Sequence, residues 1–168
     1  MDGKAILWAV TALPSINRAS VSPDTVTPGR WIITLADSHG GIDRAGLAVV
    51  EAFAKARLGV DEDMGAAAAI DATLVMSGNV RVPAGTTPEQ LAEIQKTAET
   101  NWRAFLASVP LGPGLVEVAV NLIAILIDAG AEDVGDTVAV GPIEIQLTAG
   151  EVLVSAKPLA QSMSWGSV

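Results

Sequence analysis

A single stretch, residues 87–109, carries the firmest folding instruction in the chain. It opens with Thr87-Pro88-Glu89-Gln90. A threonine there can cap a helix, proline suits the first helical position, and a glutamine three residues after the cap can reach back to the cap's own amide. Leu91, Ile94, Ala98, Trp102, Phe105 and Val109 then recur at intervals of three and four. Glu93, Lys96, Glu99 and Arg103 fall largely off that stripe. The spacing predicts a long amphipathic helix whose apolar side needs a core to face.

The rest of the chain reads as shorter pieces around that helix. Residues 4–13 read as a helix stopped by Pro14, because the residue before a proline disfavours the α region. Residues 18–22 are extended, 23–29 carry turn chemistry, and 30–36 are β-branched and aromatic enough for a strand. Asp43 is a candidate cap for a helix over 43–58, with Leu47, Val50, Phe53 or Ala54, and Arg57 or Leu58 on one face and Gly59 ending it. An acidic loop over 60–65 follows. Residues 69–82 read as a hairpin turning at Ser77-Gly78-Asn79.

Beyond the central helix, Pro110 to Gly114 is a loop. Residues 115–128 are apolar nearly all round and read by length as a buried helix. Strands are expected over 137–140, 142–148 and 151–156, with Ala149-Gly150 as the tight turn between the last two. Residues 157–168 show no period and read as an arm, within which Leu159, Met163 and Trp165 are candidates for a partner's pocket.

Helix–link–strand occurs over 5–22 and again over 115–140, and strand–turn–strand over 69–82 and again over 143–156. The expected fold is therefore α+β: two small helix–strand half-units, residues 1–85 and 86–168, with antiparallel β-hairpins packed on amphipathic helices. At 168 residues the chain can bury a core without metal or disulfide.

Composition narrows function mainly by exclusion. There are no cysteines and one histidine, so thiol chemistry, thiolate metal sites and any site needing two histidines are impossible. Ten Lys and Arg against 19 Asp and Glu give a net charge of −9, with the basic residues scattered. Such a chain repels phosphate backbones, so nucleic acid is not an expected partner. The longest apolar run falls short of the roughly 20 residues that span a bilayer, and no secretion leader is visible at the start. Only 17% of residues are charged, below the roughly 25% usual in soluble domains. That aliphatic surplus suits a protein partly covered by other subunits.

Candidate chemistry is sparse. His39 sits in Asp37-Ser38-His39-Gly40-Gly41, where it could act as a base or single ligand; a solvated loop histidine is the favoured reading. Asp61-Glu62-Asp63 lacks the spacing of a calcium loop, and Glu132-Asp133 with Asp136 reads as turn chemistry. No dinucleotide fingerprint, phosphate loop or nucleophile elbow is present. No catalytic residue, cofactor or metal is expected, and the protein is not expected to be an enzyme.

Several phrases resemble the baseplate J-like family of contractile phage tails, tailocins and related injection systems. Ala12-Leu13-Pro14-Ser15-Ile16-Asn17-Arg18-Ala19 and Pro28-Gly29-Arg30-Trp31-Ile32-Ile33 are similar to that family's helix–link–strand passage. Arg57-Leu58-Gly59-Val60 departs from its Arg-Pro-Val type phrase. The Pro88-led helix, the apolar helix after it, Gly130-Ala131-Glu132-Asp133-Val134, and Thr148-Ala149-Gly150-Glu151-Val152 look like its C-terminal module. The likeness covers residues 5–157 in short, degenerate phrases, and implies the C-terminal part of a split or shortened family member, or a paralogue with one role in the wedge. It further implies a structural wedge subunit of the virion's tail baseplate, assembled in the host cytoplasm, that packs with other wedge and tail proteins as a hetero-oligomer in a six-fold ring. The competing expectations are a small ligand-binding or enzymatic α+β domain using the His39 loop, and an unrelated homo-oligomeric scaffold.

Overall fold

The computed structural model describes residues 7, 10–13, 16–58, 64–134 and 143–167. It is an α+β protein of short helices and small mixed sheets. Its contacts divide into two compact units. The first is Met1–Ala72 with Pro110–Pro113 and Leu147–Val152; the second is Thr73–Val109 with Gly114–Gln146 and Leu153–Val168. A single boundary at 85/86 does not describe this arrangement, because the chain passes between units several times.

The first unit is built on β1 (Arg18–Pro23), β2 (Trp31–Ala36) and β3 (Met64–Ala68), in the order β1-β2-β3. β1 and β2, the two extended segments expected on either side of a turn, pair antiparallel, from Arg18 opposite Ala36 to Pro23 opposite Trp31. In the loop between them, Asp24 Oδ1 accepts from the Val26 amide at 2.8 Å, and the carboxylate lies 3.8 Å from Arg30. The Val26 amide is the main reason the Asp24 carboxyl is held below its ordinary pKa. Helix α1 (Arg44–Leu58) follows as expected: Asp43 Oδ1 accepts from the Gly46 amide at 2.7 Å and closes its first turn.

α1 returns the chain to β3, which lies parallel to β2 and packs against the helix. Gly65, expected in a loop, is inside β3, where a Cβ would meet the Arg30 guanidinium at 2.7 Å. Val10, Ile16, Ile33, Leu35, Ile42, Val50, Ala54 and Met64 form this unit's core. Of the expected first helix, Leu7, Val10 and Thr11 are helical; the remainder of 4–9 lies outside the described residues, as do Gly59 and the acidic run 61–63.

The second unit is organised by α2 (Pro88–Ser108). The capping box is formed: the Gln90 amide donates to Thr87 Oγ1 at 3.3 Å, and the Thr87 amide to Gln90 Oε1 at 2.9 Å. Ala98, Trp102 and Leu106 are buried along one face. Against it pack α3 (Val118–Asp128) and the short helix α4 (Leu159–Ser162). The sheet of this unit is β10 (Met163–Ser167), β5 (Gly78–Val82) and β7 (Asp133–Val134), in that order. β10 runs parallel to β5, and β7 antiparallel to it. Each unit thus centres on a strand with one antiparallel and one parallel neighbour, a likeness between halves that differs from the repeat expected from sequence.

Three expectations are corrected. Residues 69–82 do form two strands, β4 (Ile70–Leu74) and β5, but not a hairpin. β4 pairs with β9 (Glu151–Ser155), and both edges of β5 are taken by β10 and β7. The turn at 148–151 exists, with the Glu151 amide donating to Thr148 O at 3.1 Å and Gly150 at φ 82°. Its flanking strands nevertheless pair elsewhere, β8 (Glu144–Leu147) with β6 (Gly114–Glu117). An alternating pattern fixes which face of a strand is buried, and leaves its partner open.

Residues 114–117, read as helix, are strand β6. Helix α3 starts only at Val118, where the amides of Val118 and Ala119 donate to Ile143 O at 3.1 and 3.2 Å. It stops where expected: Gly130, at φ 112°, follows the cap, and the Ala131 amide donates to Leu126 O at 3.0 Å. The expected strand over 137–140 lies outside the described residues.

Trp102 is 1% exposed and stacks on Phe105 with ring centroids 5.3 Å apart. Its indole N–H has no acceptor among the described residues, so the ring contributes through volume. Trp102→Ala is expected to cost about 3–5 kcal/mol, read as a lower urea midpoint with unchanged slope. Asp24, with its depressed pKa, contributes stability that is present above the ordinary carboxylate range and lost as pH falls through the folded value. Asp24→Asn should flatten that part of a stability–pH profile, measured by thermal melts at a series of acidic pH values.

Candidate interaction surface

Among the described residues, the side chains with catalytic potential do not converge. His39 lies on an exposed turn made by Asp37, whose Oδ1 accepts from the His39 amide at 2.7 Å and the Gly40 amide at 3.0 Å. Ser38 Oγ is 3.0 Å from His39 Nδ1, and Asp37 Oδ1 is 4.0 Å from the same nitrogen. In a relay the hydroxyl and the carboxylate address opposite ring nitrogens. Here both face one, so the carboxylate cannot orient the ring for the hydroxyl.

Behind this turn lies Arg18, 7% exposed, whose guanidinium donates to Asp37 O at 2.6 Å. Burial lowers its pKa, while the carboxylates of Asp37 and Asp71 act in the opposite sense. Asp71 Oδ1 also accepts from the Gly41 amide at 2.9 Å. Every one of these contacts fixes the loop from within.

Of the two acidic patches, the run 61–63 lies outside the described residues. Asp133 is in β7 and pairs with Arg81 at 3.8 Å; Asp136 lies outside the described residues. Among the described residues, no group of three or more His, Asp or Glu side chains is placed to hold a metal. No helix among them is long and apolar enough to cross a membrane. An open groove of about 550 Å³ lies beside α2, between the 83–86 turn, the helix face bearing Glu93, Ile94 and Thr97, and Ala129. Two of its polar atoms serve the local fold: Thr86 Oγ1 donates to Pro83 O at 2.6 Å, and Gln90 Oε1 serves the cap.

The feature with surplus is α3. Val118, Leu122 and Leu126, spaced by four, are buried. At about 100° per residue, Val120, Ile123 and Ile127 fall on the opposite side. They are 61%, 39% and 43% exposed. Leu115 on β6 and Ile143, whose carbonyl receives the first amides of α3, are also exposed and apolar. Scattered apolar residues on a surface are ordinary; here three lie along one helix face with two more at its base, which makes this the candidate interaction surface.

No protein-family model matches the chain, and no curated protein matches it.

The arm expected over 157–168 is instead α4 and β10. Leu159 is fully buried and Met163 nearly so. Both pack within their own unit and have no surface to offer a partner. The Leu159 amide donates to Glu99 Oε2 at 2.7 Å, and Arg103 Nε holds the other oxygen of that carboxylate, also at 2.7 Å. Trp165 is half-buried in β10 opposite Val80.

Sequence reading missed this because a four-residue helix and a short strand leave too few residues to show a period. It missed the α3 surface because an all-apolar helix reads as wholly buried. Truncation after Lys157 should accordingly destabilise the protein. The loss of Leu159 and Met163 alone is worth about 1.5–3 kcal/mol each, visible in a denaturant titration as loss of midpoint.

Proposed function

We propose that this protein is a structural subunit that assembles with other proteins, and that its assembly is the baseplate wedge of a contractile phage tail or related injection machine. The observation that carries the first half is the exposed apolar face of α3, Val120, Ile123 and Ile127, beside a core already closed by Val118, Leu122 and Leu126. Folding this unit does not need those three side chains, and water is a poor neighbour for them. The second half rests on the resemblance of the phrases around Pro14, Pro28, Gly130 and Gly150 to the baseplate J-like family.

In this reading the partners are other wedge and tail proteins, joined by heterologous contacts that close around an axis. The protein acts in the virion's tail baseplate after assembly in the host cytoplasm. Its excess of carboxylates leaves the phosphate backbone of nucleic acid outside its range of partners.

Quantitative mass spectrometry of purified contractile particles, with baseplates separated from sheath and capsid, tests the assignment. Enrichment in baseplates at a multiple of six copies is expected. Absence from particles that hold every other tail protein would overturn the baseplate assignment. His39→Ala is expected to leave incorporation unchanged.

A further inference from the structure

The charge around α3 narrows the kind of partner its apolar face fits, taking the assembly reading above as given. Between Arg103 and Lys157 the sequence has no lysine or arginine and seven carboxylates. Two of them, Glu117 and Asp128, stand exposed at the two ends of α3. At about 100° per residue Asp128 lies about 80° round the helix from Val120, on the flank of the apolar stripe. Glu144, exposed in the strand paired with β6, adds to the same sign at the base.

We infer that α3 docks, through Val120, Ile123 and Ile127, onto an apolar surface of a different protein whose rim carries lysine or arginine. The three side chains supply the buried centre and Glu117 and Asp128 the polar rim, the usual anatomy of a protein interface. A second copy is the wrong occupant. Packing two α3 helices across a two-fold axis in antiparallel sense sets Glu117 of each beside Asp128 of the other, and like charges so placed oppose association. A basic rim removes that repulsion and adds steering during encounter.

Two synthetic amphipathic helical peptides test this, each with one leucine and isoleucine stripe, flanked by lysines in one and by glutamates in the other. Binding is followed by fluorescence anisotropy of labelled peptide with the full chain. The lysine peptide is expected to bind and to weaken as salt rises; the glutamate peptide is not expected to bind. The double variant Ile123→Asp, Ile127→Asp alters two exposed positions, and its fold is checked by circular dichroism. It should bind the lysine peptide about tenfold or more weakly, a loss of about one decade in affinity.

That variant is more acidic than the parent, so unspecific charge attraction would make it bind more tightly. Equal or tighter binding by the variant, equal binding of both peptides, or no binding of the lysine peptide would overturn the inference. So would self-association of the parent chain in sedimentation at low salt that the double variant abolishes. These outcomes are separable from the baseplate assignment. A chain found in baseplates that ignores the peptide defeats only the docking chemistry, and a chain that binds the peptide but is absent from particles defeats only the assignment.

Discussion

Burial of the inner face of α2 is the constraint on which the second unit depends. Ala98, Trp102 and Leu106 line that face, and two segments are brought to it: α3, which follows soon after in sequence, and α4, which is remote from it. Docking of α4 is reinforced by a carboxylate of α2 itself, since Glu99 accepts the first amide of α4 while Arg103 holds its other oxygen. With α4 in place, Met163 and Trp165 continue directly into the strand that pairs with β5. A helix long enough and apolar enough on one side to organise a core thus also decides which strand completes the sheet.

The first unit follows the same logic with a strand at its centre. β2 takes β1 through a short loop and β3 through α1, so one neighbour is antiparallel and the other parallel. A parallel neighbour requires a crossover, and α1 is that crossover, laid on β3 with Val50 and Ala54 buried. The polar centre of this unit, Arg18 with Asp37 and Asp71, serves the same end. A buried guanidinium is costly alone, and here it is held by a backbone carbonyl and two nearby carboxylates while the loop bearing His39 is tied down around it.

α3 carries more apolar surface than its unit covers. Its sequence is apolar nearly all round, Asn121 and Asp128 excepted, which in a small unit leaves more apolar surface than one core can cover. Leu122 and Leu126 are covered; Val120, Ile123 and Ile127 are not. The carboxylates at its ends and the absence of any basic residue nearby in sequence give that uncovered face a sign as well as a shape.

The sequence by itself determined the local elements whose signals are local. The capping box at Thr87, the stripe from Leu91 to Val109, Asp43 as the cap of α1, the β1–β2 pair and the turns at Gly130 and Gly150 all formed as their residues required, because cap, period and turn are set within a few residues. Tertiary structure alone decided the pairing of β4 with β9 and of β5 with β10 and β7, the strand at 114–117, and the conversion of the terminal segment into α4 and β10. Strand partners are chosen by which distant edges are brought together, and alternation cannot encode that. It also decided which side of α3 stays in contact with water: a helix apolar nearly all round has no strongly preferred face until other elements cover one.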